Sequence, residues 1–217
     1  MAETDRTPIA LETRTAEAAR LASPSAGRNK GVIAETLAGV LPRGAMVLEI
    51  ASGTGEHALA CVTARDDIRW TPSDPDPASR ASADAWAANA GGRIGRCLDL
   101  DVTRPNWDDG LEPVDAVFCA NMIHIAPWEA AEGLFAGAAR VLKPGGALHL
   151  YGPFQEGANT APSNLDFDAS LKARDPRWGV RARSDVDALA LRCGLTPADR
   201  TEMPANNLLL SFTKAGA

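Results

Sequence analysis

The sequence has few of the features that mark membrane, secreted or nucleic-acid-binding proteins. No apolar run approaches the ~18–20 residues that a helix needs to cross a membrane. The polar N-terminus, with Glu3 and Asp5, does not resemble a signal peptide. Lys and Arg number 22 against 28 Asp and Glu, which gives a net charge of −6. Because wide contact with a phosphate backbone needs clustered cations, we expect neither nucleic acid nor a membrane as a partner.

Cysteine is scarce as well, with four residues in the chain. Cys61, Cys97, Cys119 and Cys193 form no C-x-x-C pair and no zinc spacing, so no metal site is predicted. They lie in apolar or strand-like stretches, which predicts buried thiols in a reducing, cytoplasmic location.

The composition is otherwise ordinary for a globular protein, with 45% hydrophobic and 23% charged residues. A chain of 217 residues is long enough for one domain with a sizeable core. We predict a flexible segment or lid over residues 1–22, followed by a single domain over 23–217. Residues 152–181 are rich in Gly, Pro and Asn and show little periodicity, which predicts an insertion that covers a substrate.

Strand-like runs alternate with helical patterns through five units, which is typical of an α/β fold with a parallel sheet. A closing pair of strands, at 195–203 and 206–213, is joined by a short turn, which favours antiparallel pairing. We therefore predict a Rossmann-like, seven-stranded and mostly parallel sheet with helices on both faces. The first five predicted strands are 46–50, 68–74, 97–102, 114–120 and 147–151.

The chain is organised around one stretch, Val-Leu-Glu-Ile-Ala-Ser-Gly-Thr-Gly-Glu-His at residues 47–57. An apolar run ends in a glycine turn and a helical pattern follows, as in the first unit of nucleotide-binding domains. Gly53 and Gly55 lack a Cβ, so the turn can adopt positive φ and approach a ligand closely. With Ala58 they fit a dinucleotide fingerprint, but the same residues also fit a turn that binds S-adenosylmethionine (SAM).

Polar residues follow three predicted strands, at the edge where α/β sheets bind ligands. Asp74 stands 19 residues after Gly55, where a ribose-binding carboxylate is expected. Asp99 and Asp101 lie on one face near the end of the next strand, and one of them could accept a hydrogen bond from an adenine amino group. Asp101, nearer the carboxyl end, is the better candidate. Asn121 follows the strand at 114–120 and either binds the cofactor or only ends the strand.

These motifs resemble those of the class I SAM-dependent methyltransferases. The resemblance rests on residues 47–55, Asp74, Asp101-Val102, residues 115–121 and the Leu142-Lys143-Pro144-Gly145-Gly146 turn. More closely, the chain is similar to the uncharacterised family of methyltransferase-like protein 26. The stretches that match this family include Arg28-Asn29 and residues 48–57, 72–74, 121–124, 151–154, 161–164, 175–179 and 203–207.

The resemblance implies SAM as the cofactor and S-adenosylhomocysteine (SAH) as the product. Glu49 is then the acidic residue of the turn. Ala51 departs from the glycine of the general pattern but agrees with the narrower family. The cofactor-binding residues that we predict are Arg28, Asn29, Glu49, Ala51, Ser52, Gly53, Gly55, Asp74, Asp101, Val102 and Asn121.

His124 is the candidate catalytic base, because an imidazole can accept a proton at neutral pH and this residue follows the fourth strand. Lining the wall of a pocket is the alternative. Tyr151, at the end of the fifth strand, is a second catalytic candidate that could bind substrate through its hydroxyl, or only pack in the core. The predicted substrate-binding residues are His57, Trp128, Asn164, Trp178, Arg181 and Asn206.

The leading hypothesis is an enzyme, a SAM-dependent methyltransferase that acts on a small polar metabolite. A catalytically silent SAM-binding module and a methyltransferase of protein or RNA are the alternatives. An NAD-dependent oxidoreductase is disfavoured, because a classical dinucleotide domain has six parallel strands and no closing hairpin. The sequence leaves the accepting atom and the oligomeric state open.

Overall fold

The structure is a computed structural model, and it describes residues 12–216 of the protein. The chain forms two compact units. Within the described residues, the first unit holds residues 12–44 and 49–100, and the second holds residues 45–48 and 101–216. In chain order the elements are β1 (Thr15–Glu17), β2 (Arg20–Ala22), α1 (Pro24–Val40), β3 (Met46–Ile50), α2 (Glu56–Ala64), β4 (Arg69–Ser73), α3 (Pro77–Ala87), β5 (Val114–Ala120), α4 (Trp128–Val141), β6 (Leu142–Pro153), α5 (Pro162–Arg174), α6 (Arg183–Arg192), β7 (Leu195–Met203) and β8 (Asn207–Lys214).

The central sheet has six strands in the order β4-β3-β5-β6-β8-β7, and β1 and β2 form a separate hairpin. Strands β5 and β6 are parallel, whereas β8 runs antiparallel to both β6 and β7. The predicted α/β class, with a mainly parallel sheet and a closing antiparallel pair, is confirmed.

The sheet has six strands rather than the predicted seven, because residues 97–102 form no regular strand. This segment makes only an isolated parallel bridge between Leu98 and Ser73 of β4. The Leu98 N–H donates to the Pro72 carbonyl at 2.9 Å. Pro72 itself has no N–H, so it cannot supply the donor that a continuous ladder needs at this position.

The first unit is built on the packing of α1 against α2. Ile33 and Leu37 of α1 are fully buried, as their helical spacing predicts. Ahead of α1, residues 13–21 have a weak helical pattern, yet the structure forms a hairpin there. Its two-residue turn places Glu17 opposite Arg20, and Ala18 has a φ of 54°.

The second unit is built around β5, whose continuous apolar sequence suits a strand that is covered on both sides. Phe135 of α4 meets Phe212 of β8 edge to face, with ring centroids 5.2 Å apart. The Lys-Pro-Gly-Gly sequence at 143–146 predicts the end of the helix that precedes the fifth strand. In the structure these four residues have no pairing partner in β5. Leu142 pairs with Val114 of β5, and the next paired residue of β6 is Ala147, opposite Ala116.

The segment at 152–181 has more regular structure than its composition predicts, because it contains the 13-residue helix α5. The following helix, α6, begins after Ala182, and no side chain caps it. Ser184 and Asp187 resemble a capping box in the sequence, which predicts Ser184 as the N-cap. This prediction is wrong, because Ser184 already lies inside α6. Among residues 12–216, no helix combines the length and the apolar character that a membrane span requires.

Two glycines of α4 are required by close packing. A Cβ on Gly137 would collide with the indole of Trp107, and a Cβ on Gly133 would collide with the Val102 carbonyl. The Trp107 Nε1–H donates to the Gly133 carbonyl at 2.8 Å, which fixes the indole against the helix. The position of the Trp107 indole therefore requires glycine at both 133 and 137, one turn apart on α4.

We predict that Gly137→Ala lowers the free energy of unfolding by about 1–3 kcal/mol, because the added methyl overpacks the contact with Trp107. Gly31→Ala is the matched control, since Gly31 lies in α1 with no atom within 4 Å of its Cβ position. That change should raise stability by about 0.4–1 kcal/mol through the lower entropy of the unfolded chain. Urea denaturation of both variants measures the difference, and equal effects would contradict the packing argument.

Candidate functional site

The glycine turn between β3 and α2 is the centre of the first unit's candidate site. Gly53 and Gly55 have φ of 57° and 87°, in the left-handed region that glycine favours. A Cβ on Gly55 would lie 2.5 Å from the Cα of Ala83, so this glycine allows α3 to pack closely. Among residues 12–216, the one atom within 4 Å of a Cβ on Gly53 would be Arg14 Nη2, at 3.5 Å. The two glycines therefore differ, and Gly53 is the one with an open side.

Ala51 also lies in the left-handed region, with φ of 56°. An alanine in this region costs roughly 1–2 kcal/mol, which glycine avoids. The general methyltransferase pattern has glycine at this position, and the backbone explains that preference.

Backbone and hydroxyl groups tie this turn to the end of β4. The Ser52 N–H donates to the Ser73 carbonyl at 2.9 Å, and the Ser73 N–H donates to Ser52 Oγ at 3.1 Å. The Ser73 hydroxyl in turn donates to the Glu49 carbonyl at 2.6 Å. The predicted cofactor residues Glu49 and Ser52 are thus held against β4 by a closed set of hydrogen bonds.

Asp74, the predicted ribose ligand, is buried at 7% exposure next to the turn. Its Oδ2 accepts the Gly53 N–H at 2.9 Å, and its Oδ1 accepts the Asp76 N–H at 2.9 Å. Burial raises the pKa of Asp74 to about 6, against the opposing effect of these two N–H groups. A carboxylate has about four lone-pair sites, so it can accept two further hydroxyl groups.

Glu49 is the most deeply buried carboxyl of the turn, at 1% exposure. Its Oε2 accepts the Trp70 Nε1–H at 2.9 Å, and His57 Nδ1 lies 3.8 Å from its Oε1. Burial raises the pKa of Glu49 to about 7, so the carboxyl is only partly ionised at neutral pH.

The predicted residues Arg28 and Asn29 have different surroundings. Asn29 Oδ1 lies 2.9 Å from His57 Nε2, and burial lowers the pKa of His57 to about 4. The imidazole is therefore neutral at pH 7, and it lies close to the turn. The Arg28 guanidinium is largely exposed and pairs with Glu12 at 2.8 Å.

Sequence reasoning missed Glu56, which directly follows the glycine turn. This side chain is 4% exposed, and it accepts hydrogen bonds from the Ser23 N–H at 2.8 Å and from Lys30 Nζ at 2.9 Å. Although burial acts in the opposite direction, these donors lower the pKa of Glu56. Its position beside the turn was the available signal, but its partners are 26 and 33 residues away in the chain.

In the second unit, Asp101 and Val102 lie at the start of a loop. Asp101 Oδ1 accepts hydrogen bonds from the Thr103 N–H at 3.0 Å and from the Thr103 hydroxyl at 2.6 Å. Arg104 Nε lies 3.7 Å from the other oxygen. Val102 is buried, and its carbonyl faces Gly133 of α4.

His124, Asn121 and Tyr151 come together where β5 and β6 end. Asn121 has φ of 60°, and its N–H donates to the Tyr151 carbonyl at 2.8 Å. A Cβ on Gly152 would lie 2.6 Å from His124 Nε2 and 3.2 Å from Asn121 Oδ1. Glycine at position 152 therefore makes room for the imidazole, a requirement that no sequence motif indicates.

The hydrogen bonding of His124 fixes the tautomer of its ring. The side chain is fully buried, and its Nδ1 accepts the Arg181 N–H at 3.3 Å. The hydrogen then lies on Nε2, for which residues 12–216 provide no hydrogen-bond partner. Burial, helped by the charge of Arg181, lowers the pKa of His124 to about 3. This arrangement favours a neutral hydrogen-bond donor over a general base.

Arg181 uses its guanidinium to hold backbone rather than to present a free charge. Its donors reach the carbonyls of Ile123 at 2.9 Å, Ala126 at 2.7 Å and Arg177 at 2.9 Å. The guanidinium also stacks over the Trp128 ring at 5.5 Å.

Two predicted substrate residues, Trp128 and Arg181, border a cavity of about 520 Å³ within the second unit. Trp178 does not line this cavity, although the neighbouring Gly179 does. The lining residues are Trp128, Gln155, Asp168, Lys172, Gly179, Val180, Arg181, Ala182, Asp185, Ala188 and Arg192.

Asn164 and Asn206 form a separate contact between α5 and the β7–β8 turn. The buried Asn164 amide donates to the Asn206 carbonyl at 3.0 Å and to the Phe154 carbonyl at 3.3 Å. Asn206 Nδ2 donates to Ser163 Oγ at 2.9 Å. These amides fix the segment that contains α5.

Comparison with known families assigns residues 20–214 to the family described as "Protein of unknown function (DUF938)". The chain belongs to the DUF938 family.

Solved methyltransferase structures share the fold of this DUF938 protein. An O-methyltransferase family protein from Burkholderia thailandensis superposes with a TM-score of 0.76 at 17% identity, covering 89% of this chain and 57% of the other. For CalO1, a methyltransferase in calicheamicin biosynthesis in its SAH-bound form, the TM-score is 0.75 at 15% identity, with 88% and 54% covered. An O-methyltransferase family 2 protein from Planctomyces limnophilus in complex with apigenin superposes with a TM-score of 0.69 at 20% identity. The match covers 86% of this chain and 62% of the other. The chain thus spans a little over half the length of these structures.

We predict that Glu49 makes folding stability depend on pH. Its pKa is about 7 in the folded protein and 4.5 ordinarily, so the folded state binds more protons between these values. Stability from this group is therefore fully present below pH 4.5 and is lost as the pH rises through 7. Relative to Glu49→Gln, the wild type should lose on the order of 3 kcal/mol over this interval.

Urea denaturation at half-unit pH steps measures this difference. The exposed Glu112→Gln controls for the loss of one negative charge. A constant difference between wild type and Glu49→Gln across the interval would contradict the buried, protonated state of Glu49.

A second prediction concerns all three histidines of the chain. Burial lowers the pKa of His57 to about 4, of His124 to about 3 and of His149 to about 4. Ring ¹⁵N shifts should therefore show neutral imidazoles from pH 5.5 to 8, with the hydrogen of His124 on Nε2. The urea-unfolded protein is the control, since its rings should titrate near ~6.5. A folded ring that titrates between pH 5.5 and 8 would be evidence against this arrangement.

Proposed function

We propose that this DUF938 protein is a SAM-dependent methyltransferase that acts on a small polar molecule. The observation that carries the proposal is the direction of the backbone N–H groups in the glycine turn. The Gly53 N–H donates to Asp74 Oδ2 at 2.9 Å, and the Gly55 N–H donates to the Ser52 carbonyl at 3.0 Å. Both glycines thus use their N–H groups within the protein.

This pattern favours SAM over a dinucleotide. In a dinucleotide site the turn and the following helix present N–H groups to a pyrophosphate. Here Gly53 instead contacts a carboxylate, which would repel a phosphate placed beside it. SAM has no phosphate, and its ribose offers two hydroxyl groups that a buried carboxylate can accept. The turn and Asp74 therefore fit an adenosine that carries a positive charge better than one that carries phosphates.

The comparisons support the same class of reaction. The proteins of similar fold include O-methyltransferases, and one of them is described in an SAH-bound form. The sequence resemblance to methyltransferase-like protein 26 supports a closer grouping within the methyltransferases. The proposed roles of Arg28, Ala51, Asp101, Val102 and Asn121 in cofactor binding rest on the sequence resemblance.

Bound SAM would supply a methyl group on an already activated sulfonium. The protein then has to orient the acceptor for in-line attack, and such positioning is worth up to ~7–11 kcal/mol. In this proposal Asp74 accepts the ribose hydroxyls, and Glu49 supports the positive charge of the cofactor from beneath the turn. In the second unit, His124 carries its hydrogen on Nε2. The proposed role of Tyr151, which lies in β6, rests on its position in the sequence.

The state of His124 also restricts which chemical groups could accept the methyl group. An imidazole whose Nδ1 accepts a backbone N–H and whose Nε2 carries hydrogen has no site for a further proton. We therefore propose an acceptor that needs no proton removed by this residue, such as a carboxylate, a thiolate or a neutral amine. The cavity beside Trp128 and Arg181 has a volume that suits a small molecule.

Calorimetric titration with SAM, SAH and NAD tests the cofactor. We expect micromolar binding of SAM and SAH and no binding of NAD. Asp74→Ala should weaken both by roughly 10- to 150-fold, which corresponds to about 1.5–3 kcal/mol for a hydrogen-bonded charged group. Asp66→Ala, at an exposed position of the same unit, is the control and should bind as the wild type does.

Two results would count against the proposal. Binding of NAD in place of SAM would make the protein a dinucleotide-binding protein. Unchanged SAM affinity in Asp74→Ala, with unfolding behaviour intact, would remove Asp74 from the site. Asp74→Asn keeps one acceptor for Gly53 and therefore distinguishes loss of binding from loss of the turn.

A further inference from the structure

Residues 12–23, which we call the N-terminal strap, are bound to the first unit at several points. The Leu21 N–H donates to Ser82 Oγ at 2.8 Å, and the Trp86 Nε1–H donates to the Leu21 carbonyl at 2.9 Å. Arg20 donates to the Ala85 carbonyl at 3.2 Å and lies 5.0 Å above the Trp86 ring. The strap thus follows α3, which packs against the glycine turn at Gly55.

Arg14 is the strap residue that reaches the glycine turn. Its Nη2 lies 3.5 Å from the Cβ position of Gly53, on the open side of that residue. Its Nη1 donates to the buried Ser79 Oγ at 3.0 Å. Within the described part of the chain, this is the hydrogen bond that fixes the guanidinium. The charge of Arg14 also acts on Asp74: burial raises the pKa of that carboxyl, and Arg14 lowers it by a smaller amount.

The position of Arg14 selects one part of the proposed cofactor. A guanidinium has five N–H donors, and the bond to Ser79 uses one of them. The sulfonium and the ammonium of SAM are both cationic and would be repelled, whereas the amino-acid carboxylate is its one anionic group. The planar guanidinium also matches a carboxylate in geometry, with two parallel N–H donors.

We propose that Arg14 binds the amino-acid carboxylate of SAM and SAH, held by the N-terminal strap over the open side of Gly53. The inference rests on the proposed function and assigns one group of the cofactor to one side chain. It also gives the strap a role in binding, beyond that of covering α3.

The test compares two ligands that differ in the amino-acid part. SAH carries the carboxylate, whereas 5′-methylthioadenosine has the adenosine and the thioether without it. In calorimetric titrations of the full chain, Arg14→Gln should weaken SAH binding by roughly 10- to 100-fold, as expected for a lost charge-assisted pair. Methylthioadenosine binding should change less than about twofold, because the contact with Arg14 does not involve it.

Two further variants separate binding from anchoring of the strap. Arg20→Gln removes an anchor of the same strap without touching the turn, and it should leave the ratio of the two affinities unchanged. Asp74→Asn should weaken both ligands, because both contain the ribose. Arg14→Lys keeps the charge and should recover part of the SAH affinity.

The outcomes are distinguishable. If the wild type binds SAH but Arg14→Gln binds it equally well, Arg14 does not contact the carboxylate and this inference fails alone. Equal losses for SAH and methylthioadenosine would make Arg14 a structural residue of the strap. If the wild type does not bind SAH, the proposed function is wrong and this inference is overturned with it.

Discussion

The proposed cofactor site of the first unit depends on one hydrogen bond, from the Gly53 N–H to Asp74 Oδ2 at 2.9 Å. It joins the glycine turn after β3 to the residue that follows β4, and the exchanged bonds of Ser52 and Ser73 reinforce the same connection. Because the turn gives its N–H to a carboxylate of the protein, it has lost the group that would hold a phosphate. The same bond brings a buried carboxylate to the edge of the turn, where under the proposed function it accepts the ribose hydroxyls.

Burial gives this turn an unusual electrostatic character. Glu49, His57 and Asp74 are all ionisable, yet burial favours the neutral form of each. It raises the pKa of the two carboxyl groups and lowers the pKa of the imidazole. Glu56 is the exception, because Ser23 and Lys30 donate to its carboxylate. A cationic ligand beside Glu49 and Asp74 would favour their ionised forms. Under the proposed function, cofactor binding would therefore release protons near neutral pH.

The sequence predicted those elements whose bounds are set by residues close together in the chain. The strands at 46–50, 114–120 and 195–203 have the predicted bounds. The first two are largely apolar runs, whereas the third is mostly polar and is bounded by the turn that joins it to β8. The segment at 97–102 fails as a strand because Pro72 of β4 has no N–H to donate and because β4 ends at Ser73, opposite Leu98. No property of the segment itself reveals either feature of its partner. Arg14 could not be predicted either. Its contact with Ser79 spans 65 residues, and a lone arginine in a polar stretch has no pattern that indicates such a partner.

The prediction for His124 shows how surroundings decide the chemistry of a residue type. Histidine after the fourth strand suggested a base, because its ordinary pKa lies near neutrality. In the folded chain the Arg181 N–H occupies Nδ1, and Gly152 lets the ring approach the backbone of β6. Protonation would place a second donor against the Arg181 N–H, in a site with no exposure to water. The geometry therefore keeps the imidazole neutral with its hydrogen on Nε2. A methyl donor with an activated sulfonium can react without a base at this position, so a neutral imidazole here is compatible with the proposed chemistry.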